Sequence, residues 1–264
     1  MASRAEPAAL ALTEPESADK VARPAPASTI GGAIRAAGKN AYYHSWRLLP
    51  ANIVWAVVAI ALAIAILVSP LGLVLVPVLA LPTAGIFRIT TRIARGQAVS
   101  FWDAVDAWRS DIVRTLALGA GITLAVAILG FNVASGLASA SALGWAFATL
   151  AAWGLVATWL FAWTAWPIVV DPDRAHRSFA ERLRLAALLV LAHPVRIGAF
   201  AIVVAVFIAV SAVAIVALVT ISVAFAALVA SELVLPAADR LETQLRAQRE
   251  AQLGSGPRTP PASM

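Results

Sequence analysis

Residues 48–87 read LLPANIVWAVVAIALAIAILVSPLGLVLVPVLALPTAGIF, forty positions from Leu48 to Phe87 without one charged side chain. A globular helix of that composition would turn apolar side chains into water all round. A bilayer core about 30 Å thick is crossed by about 20 residues at about 1.5 Å each. The stretch therefore suffices for two crossings, and Ser69-Pro70-Leu71-Gly72 supplies an uncharged turn between them. It predicts spans over 51–69 and 71–88. The first holds ten Ile, Leu or Val residues, which favours insertion by about 3–6 kcal/mol.

The rest of the chain repeats the pattern. It has 264 residues, 61% apolar and 13% charged, against about 45–50% and about 25% in an ordinary soluble domain. Two more charge-free runs cover 115–170 and 197–231. The first breaks around Gly130–Gly136 and the small residues up to Ser141, which gives spans over 115–135 and 142–170. The second would extend about 52 Å as one helix, too long for one crossing. No Gly or Pro lies between Gly198 and Pro236, so the reversal is placed at the polar positions from Ser211 to Ser222. The reading is an all-α polytopic membrane protein of six helices in three hairpins, with five spans as the alternative.

Six spans put all 20 Lys and Arg residues on one side. Positive residues mark cytoplasmic loops, so both termini and both large loops of a multi-pass chain are expected in the cytoplasm. The net charge of +6 is then what orientation and anionic lipid require, and it calls for no nucleic acid. The absence of Cys excludes disulfides and thiol chemistry. Residues 1–28, rich in Ala, Pro and Glu, resemble no cleavable signal peptide, which leaves the first span as the insertion signal. Residues 1–28 and 253–264 read as disordered tails, 29–236 as a single transmembrane domain and 237–252 as a charged cytoplasmic helix.

Two helix-start patterns stand in the large loops, Ser100-Phe101-Trp102-Asp103 and Ser178-Phe179-Ala180-Glu181. After the first, Phe101, Val105, Trp108 and Ile112 recur at helical spacing. This predicts an amphipathic helix in the membrane plane, with Trp102 at the stripe's edge and Asp103 and Asp106 facing away. The second predicts a helix over 179–192. Residues 33–47, with Tyr42, Tyr43 and Trp46, read as a third such segment, so that an interfacial helix plus a hairpin occurs three times.

Chemistry-bearing residues are few. His44, His176 and His193 do not pair at ligand spacing. Asp171-Pro172-Asp173 reads as a solvated turn at a helix end. Neither a phosphate-cradling Gly loop nor a nucleophile elbow occurs, and no cofactor or metal site is expected. The charge-free runs lack the ionisable groups that ion-coupled carriers use. Asn52 and Asn132 suit hydrogen bonds between helices. Gly119, Gly121, Gly136 and Ala140 suit close helix approach and self-association. Pro77 and Pro82, with Thr83, interrupt the second span, and Trp159, Trp163 and Trp166 line one face of the fourth. Pro77, Trp159 and Trp163 are therefore the candidate cavity positions.

One stretch resembles a known family. Pro82-Thr83-Ala84-Gly85-Ile86-Phe87-Arg88, followed by Arg92-Ile93-Ala94-Arg95-Gly96-Gln97-Ala98-Val99-Ser100-Phe101-Trp102-Asp103-Ala104-Val105, resembles the core signature of YesL-type bacterial membrane proteins. The resemblance extends in layout over residues 33–245 and is specific over about 25 of them. It marks Pro82, Thr83, Arg88, Arg95, Gly96, Trp102 and Asp103 as candidate functional positions and supplies no catalytic residue. It implies a non-enzymatic accessory to carbohydrate ABC uptake, with the bilayer and ABC transporter components as partners. A transporter or permease subunit binding a neutral solute is the alternative expectation.

Overall fold

The structure is a computed structural model that describes residues 29–213 and 221–254, and helices and turns are the only regular elements among them. Helix α1 runs Ile30–Val68 and opens on Thr29, whose Oγ1 accepts the Gly32 N–H at 3.1 Å. It joins two pieces read separately in the sequence, the aromatic segment 33–47 and the span 51–69. Its 39 residues reach about 58 Å, well beyond a bilayer core. The reason is a continuous buried stripe through Ala33, Ala37, Ala41, Leu48, Ala51, Asn52 and Ala56, which keeps one face packed on both sides of Pro50.

The chain reverses at Ser69, where the Ser69 N–H donates to Ala65 O at 2.9 Å and the Gly72 N–H to Ser69 O at 2.8 Å. Only glycine fits position 72, since a Cβ there would stand 2.7 Å from the Ala65 carbonyl carbon. The expected span over 71–88 is built in two pieces, a 3-10 segment Pro70–Leu79 and helix α2, Ala80–Ala94. Proline lacks an N–H and crowds the carbonyl four residues back, so Pro77 favours the tighter winding. Pro82 falls in the first turn of α2, where an N–H has no partner within the helix anyway.

Helix α3 spans Trp102–Ser110 and α4 spans Ile112–Ala138. Helix α5, Ala142–Val169, pairs with α4 in the expected hairpin. Their turn holds Ala140 at a φ of 48°, and Ser141 caps α5 by accepting the Gly144 N–H at 3.0 Å. A Cβ on Gly136 would lie 2.5 Å from Gly144 O, which brings the two backbones together as the small-residue reading anticipated. Helix α6, Phe179–Ala192, starts with the complete Ser178/Glu181 capping box read from the sequence.

Helix α7 spans Pro194–Val213 and α8 spans Val223–Gly254. Most of the reversal expected between Ser211 and Ser222 lies outside the described residues, as do the tail over 1–28 and nearly all of that over 253–264. The flanking helices run antiparallel. Phe207 and Phe225 lie 5.3 Å apart between ring centroids, and Arg196 shares a crevice with Leu233 and Ala237. The charged helix expected over 237–252 is the outer half of α8, continuous with its apolar half through Pro236.

That apolar half is the axis of the bundle. Ala224, Ala227, Leu228, Ala230, Leu235 and Ala238 are essentially inaccessible, and α1, α2, α5, α6 and α7 all pack on α8. Polar pegs fix its register. Asn52 Oδ1 accepts the Ala224 N–H at 2.9 Å, the Thr90 and Ser231 hydroxyls meet at 3.0 Å, and Asn40 donates to Glu232 at 2.7 Å. They set α1 antiparallel and α2 parallel to α8. Among the described residues, five elements could each cross a membrane by length and composition: α1, the Pro70–Ala94 unit, α4, α5 and α7. The fold is thus consistent with an all-α, multi-pass membrane protein.

Candidate functional site

The C-terminal ends of α2 and α5 meet the middle of α8, and charged residues far apart in sequence converge there. Asp171 follows α5 and is fully buried. It accepts from Arg95 Nη2 at 2.7 Å and from the Asp173 N–H at 3.2 Å, and it is also ion-paired with Arg174. Arg95 reaches on to Asp239 at 2.6 Å and to Asp173 at 3.3 Å. Arg174, 3% exposed, pairs with Asp239 as well and with Glu242 at 2.9 Å. Arg177 closes the chain of contacts on Glu242 at 2.8 Å.

Burial opposes the charge on Arg95, and the hydrogen bonds and charges of Asp239 and Asp171 more than offset it, so its pKa rises. Burial likewise opposes the Asp239 carboxylate, yet Arg95 and Arg174 hold its pKa below the ordinary value. The guanidiniums occupy the space between the carboxylates, so the site works as a knot of fixed charges. The solvated turn expected at Asp171-Pro172-Asp173 is thereby corrected, because two arginines replace water around Asp171.

Two more arginines finish the end of α5. Arg88 donates to Val170 O at 2.6 Å. Arg182, 1% exposed, donates to Val169 O, to Ala175 O at 2.9 Å and to Arg177 O at 3.1 Å. Helix C-termini leave carbonyls unpaired and carry partial negative charge, and the guanidiniums answer both.

Three signature positions singled out in the sequence, Arg88, Arg95 and Gly96, meet here. Gly96, at a φ of 66°, ends α2 in a Schellman turn, with Gly96 N–H to Ile93 O at 2.8 Å and Gln97 N–H to Arg92 O at 2.9 Å. Asp103 accepts the Ser100 N–H just ahead of α3 at 2.7 Å, and it is ion-paired with Arg92. It therefore faces the bundle, not away from it, because Arg92 offers a charge that a periodicity argument cannot see. The expected outward stripe shifts accordingly. Ala104 and Ala107 are buried and Trp102 is exposed, while Trp108 sits over Gly85, where a Cβ would lie 2.8 Å from its Nε1.

Thr83 and the remaining positions lie deeper. Thr83 Oγ1 accepts from Trp55 Nε1 at 3.0 Å and donates to Leu79 O at 2.7 Å. Phe87 stacks on Trp166 at 6.1 Å and meets Trp163 edge-on at 5.9 Å. Trp163 touches Trp159 and Phe200 at 5.5 and 6.4 Å, and Trp159 donates to Ala201 O at 3.3 Å. Of the candidate cavity positions, Trp159 and Trp163 thus belong to an aromatic seam joining α2, α5 and α7. Pro77 lies apart in the 3-10 segment, its carbonyl oxygen 3.3 Å from where a Cβ on Gly119 would stand.

Sequence reasoning missed the ionic knot. Its signal was present in the tight acid–base pattern of 171–177, directly after a long apolar run. Comparison with known proteins gives no match to a family model, a curated protein or a solved structure.

Proposed function

We propose that the chain is a six-span protein of a bacterial inner membrane, with both termini cytoplasmic, and that it works as a non-enzymatic partner of a transport system. The observation that carries this reading is the ionic knot. The stretch similar to the YesL-type signature, 82–105, is fastened through Arg92 and Arg95 into a rigid platform at the charged end of the bundle. A platform of that kind suits docking, and the resemblance points to carbohydrate ABC uptake as the setting. The aromatic seam of Phe87, Trp163 and Trp166 fits a packed interior better than a solute path. Outward Tyr42, Trp46 and Trp102 suit the headgroup level at that end. The apolar half of α8 is the sixth crossing in this reading.

Topology is tested by single cysteines, which the natural chain lacks. Ala142→Cys, His176→Cys and Gln244→Cys are probed in spheroplasts with a membrane-impermeant maleimide. Six spans predict labelling at 142 only, whereas labelling at 244 as well would establish five. The partner role is tested by pull-down in mild detergent and by sugar uptake in a deletion strain. Recovery of no transport component together with unchanged uptake would overturn it, and solute uptake by the purified protein in proteoliposomes would favour a permease instead.

A further inference from the structure

Beside the ionic knot, α6 and the outer half of α8 diverge and leave a cleft of about 380 Å³. Its apolar floor is Leu185, Leu188 and Leu245, and arginines stand around it. Two of these are engaged: Arg177 pairs with Glu242 at 2.8 Å, and Arg246 reaches the same carboxylate at 3.7 Å. The acid Glu181 is held by the Ser178 cap. Arg184 and Arg249 line the same cleft and have no carboxylate partner among the described residues. A concave site with an apolar floor and two unneutralised guanidiniums matches one ligand chemistry. Guanidinium forks grip phosphate oxygens in pairs, and basic pockets between helices near a membrane surface take acidic headgroups.

We propose that this cleft binds a phosphate-bearing anion, held by Arg184 and Arg249 above the leucine floor. The phosphate can belong to the headgroup of an acidic phospholipid or to a soluble species, and the floor suits the glycerol and first methylenes of a lipid. Only the lipid source rests on the bilayer reading; the arginine assignment does not.

The test uses the full chain in nanodiscs of phosphatidylcholine, with and without phosphatidylglycerol, and a parallel series in detergent with inorganic phosphate. The readouts are the unfolding midpoint and the phosphatidylglycerol retained in native mass spectrometry. Arg184→Gln/Arg249→Gln is compared with Arg35→Gln/Arg109→Gln, which removes the same charge from exposed positions elsewhere at this end. A midpoint raised by phosphatidylglycerol in the natural chain and the control, with at least about tenfold weaker binding in the cleft variant, supports a headgroup site. The same pattern with inorganic phosphate alone supports a soluble ligand. The proposal is overturned if neither probe acts or if the cleft variant responds as the control does. Failure to insert into neutral nanodiscs would refute the bilayer reading separately, and the phosphate series would still decide the cleft.

Discussion

Arg174→Met is the most direct challenge to the ionic knot. Arg174 is 3% exposed and its guanidinium touches Asp171, Asp239 and Glu242, and methionine keeps most of the length without the charge. Removing one partner of a buried ion pair costs about 3–5 kcal/mol, because the other charge stays buried. The lower end applies here. Asp171 retains Arg95 at 2.7 Å and the Asp173 N–H at 3.2 Å, and Glu242 retains Arg177 at 2.8 Å. About 3 kcal/mol corresponds to a fall in Tm of about 6–12 °C for a chain of this size. Intrinsic fluorescence of the nine Trp residues follows unfolding in detergent. Arg177→Met provides the scale: that side chain is 23% exposed, and such pairs contribute less than about 1 kcal/mol. In a double-mutant cycle, Asp171→Asn added to Arg174→Met should cost less than the sum, with coupling of about 1 kcal/mol or more. A Tm fall under about 2 °C, or strict additivity, would mean that the cluster is as hydrated as a surface pair and would refute the reasoning.

Three further outcomes follow from other contacts. Gly119→Ala should destabilise by about 1–3 kcal/mol through overpacking, since its Cβ would lie 2.3 Å from the Ala80 Cβ. Gly121→Ala meets nothing within 4 Å and should be neutral or stabilising by up to about 1 kcal/mol; equal effects in thermal melts would contradict the helix contact. Asn52→Leu should cost about 1–3 kcal/mol, because the buried Ala224 N–H loses its 2.9 Å acceptor, and an unchanged midpoint would place that N–H elsewhere. Asp239 has a native pKa below its unfolded value, about 3.9. Its contribution is therefore fully present above that value and is lost as pH falls through the lower native one. Tm should hold from pH 7 to about 5 and drop below about pH 4, and Asp239→Asn should flatten part of that drop.

The long apolar elements were legible because nothing but a bilayer or a protein interior tolerates runs of that length. The sequence bounds 142–170 for α5 and 179–192 for α6 agree with the structure to within a residue, since Ser141 and Ser178 are unambiguous caps. The tertiary role of α8 was not legible. An apolar helix reads alike whether lipid or protein surrounds it, and the charges over 237–252 suggested solvent. The knot was hidden for a related reason: Arg95 and Asp239 are 144 positions apart, and no local pattern links them. Joining 33–47 to the first span likewise needed a partner, because the alanine stripe on α1 has meaning only once α8 lies against it.

The place of α8 in chain order has a consequence for biosynthesis. Asn52, Thr90 and Arg95 all find partners on a helix that is synthesised after them. Asn52 and Ala224 are separated by 172 positions, and at about 5–20 residues per second a ribosome needs about 9–34 s to make that stretch. For that interval Asn52, Thr90 and Arg95 lack the contacts that α8 supplies, and polar groups short of partners away from water are costly. A nascent chain stalled before α8 is therefore an unfinished bundle, with the faces of α1 and α2 that α8 covers still open. Arrival of α8 makes all of these contacts together, so one late packing event completes the bundle.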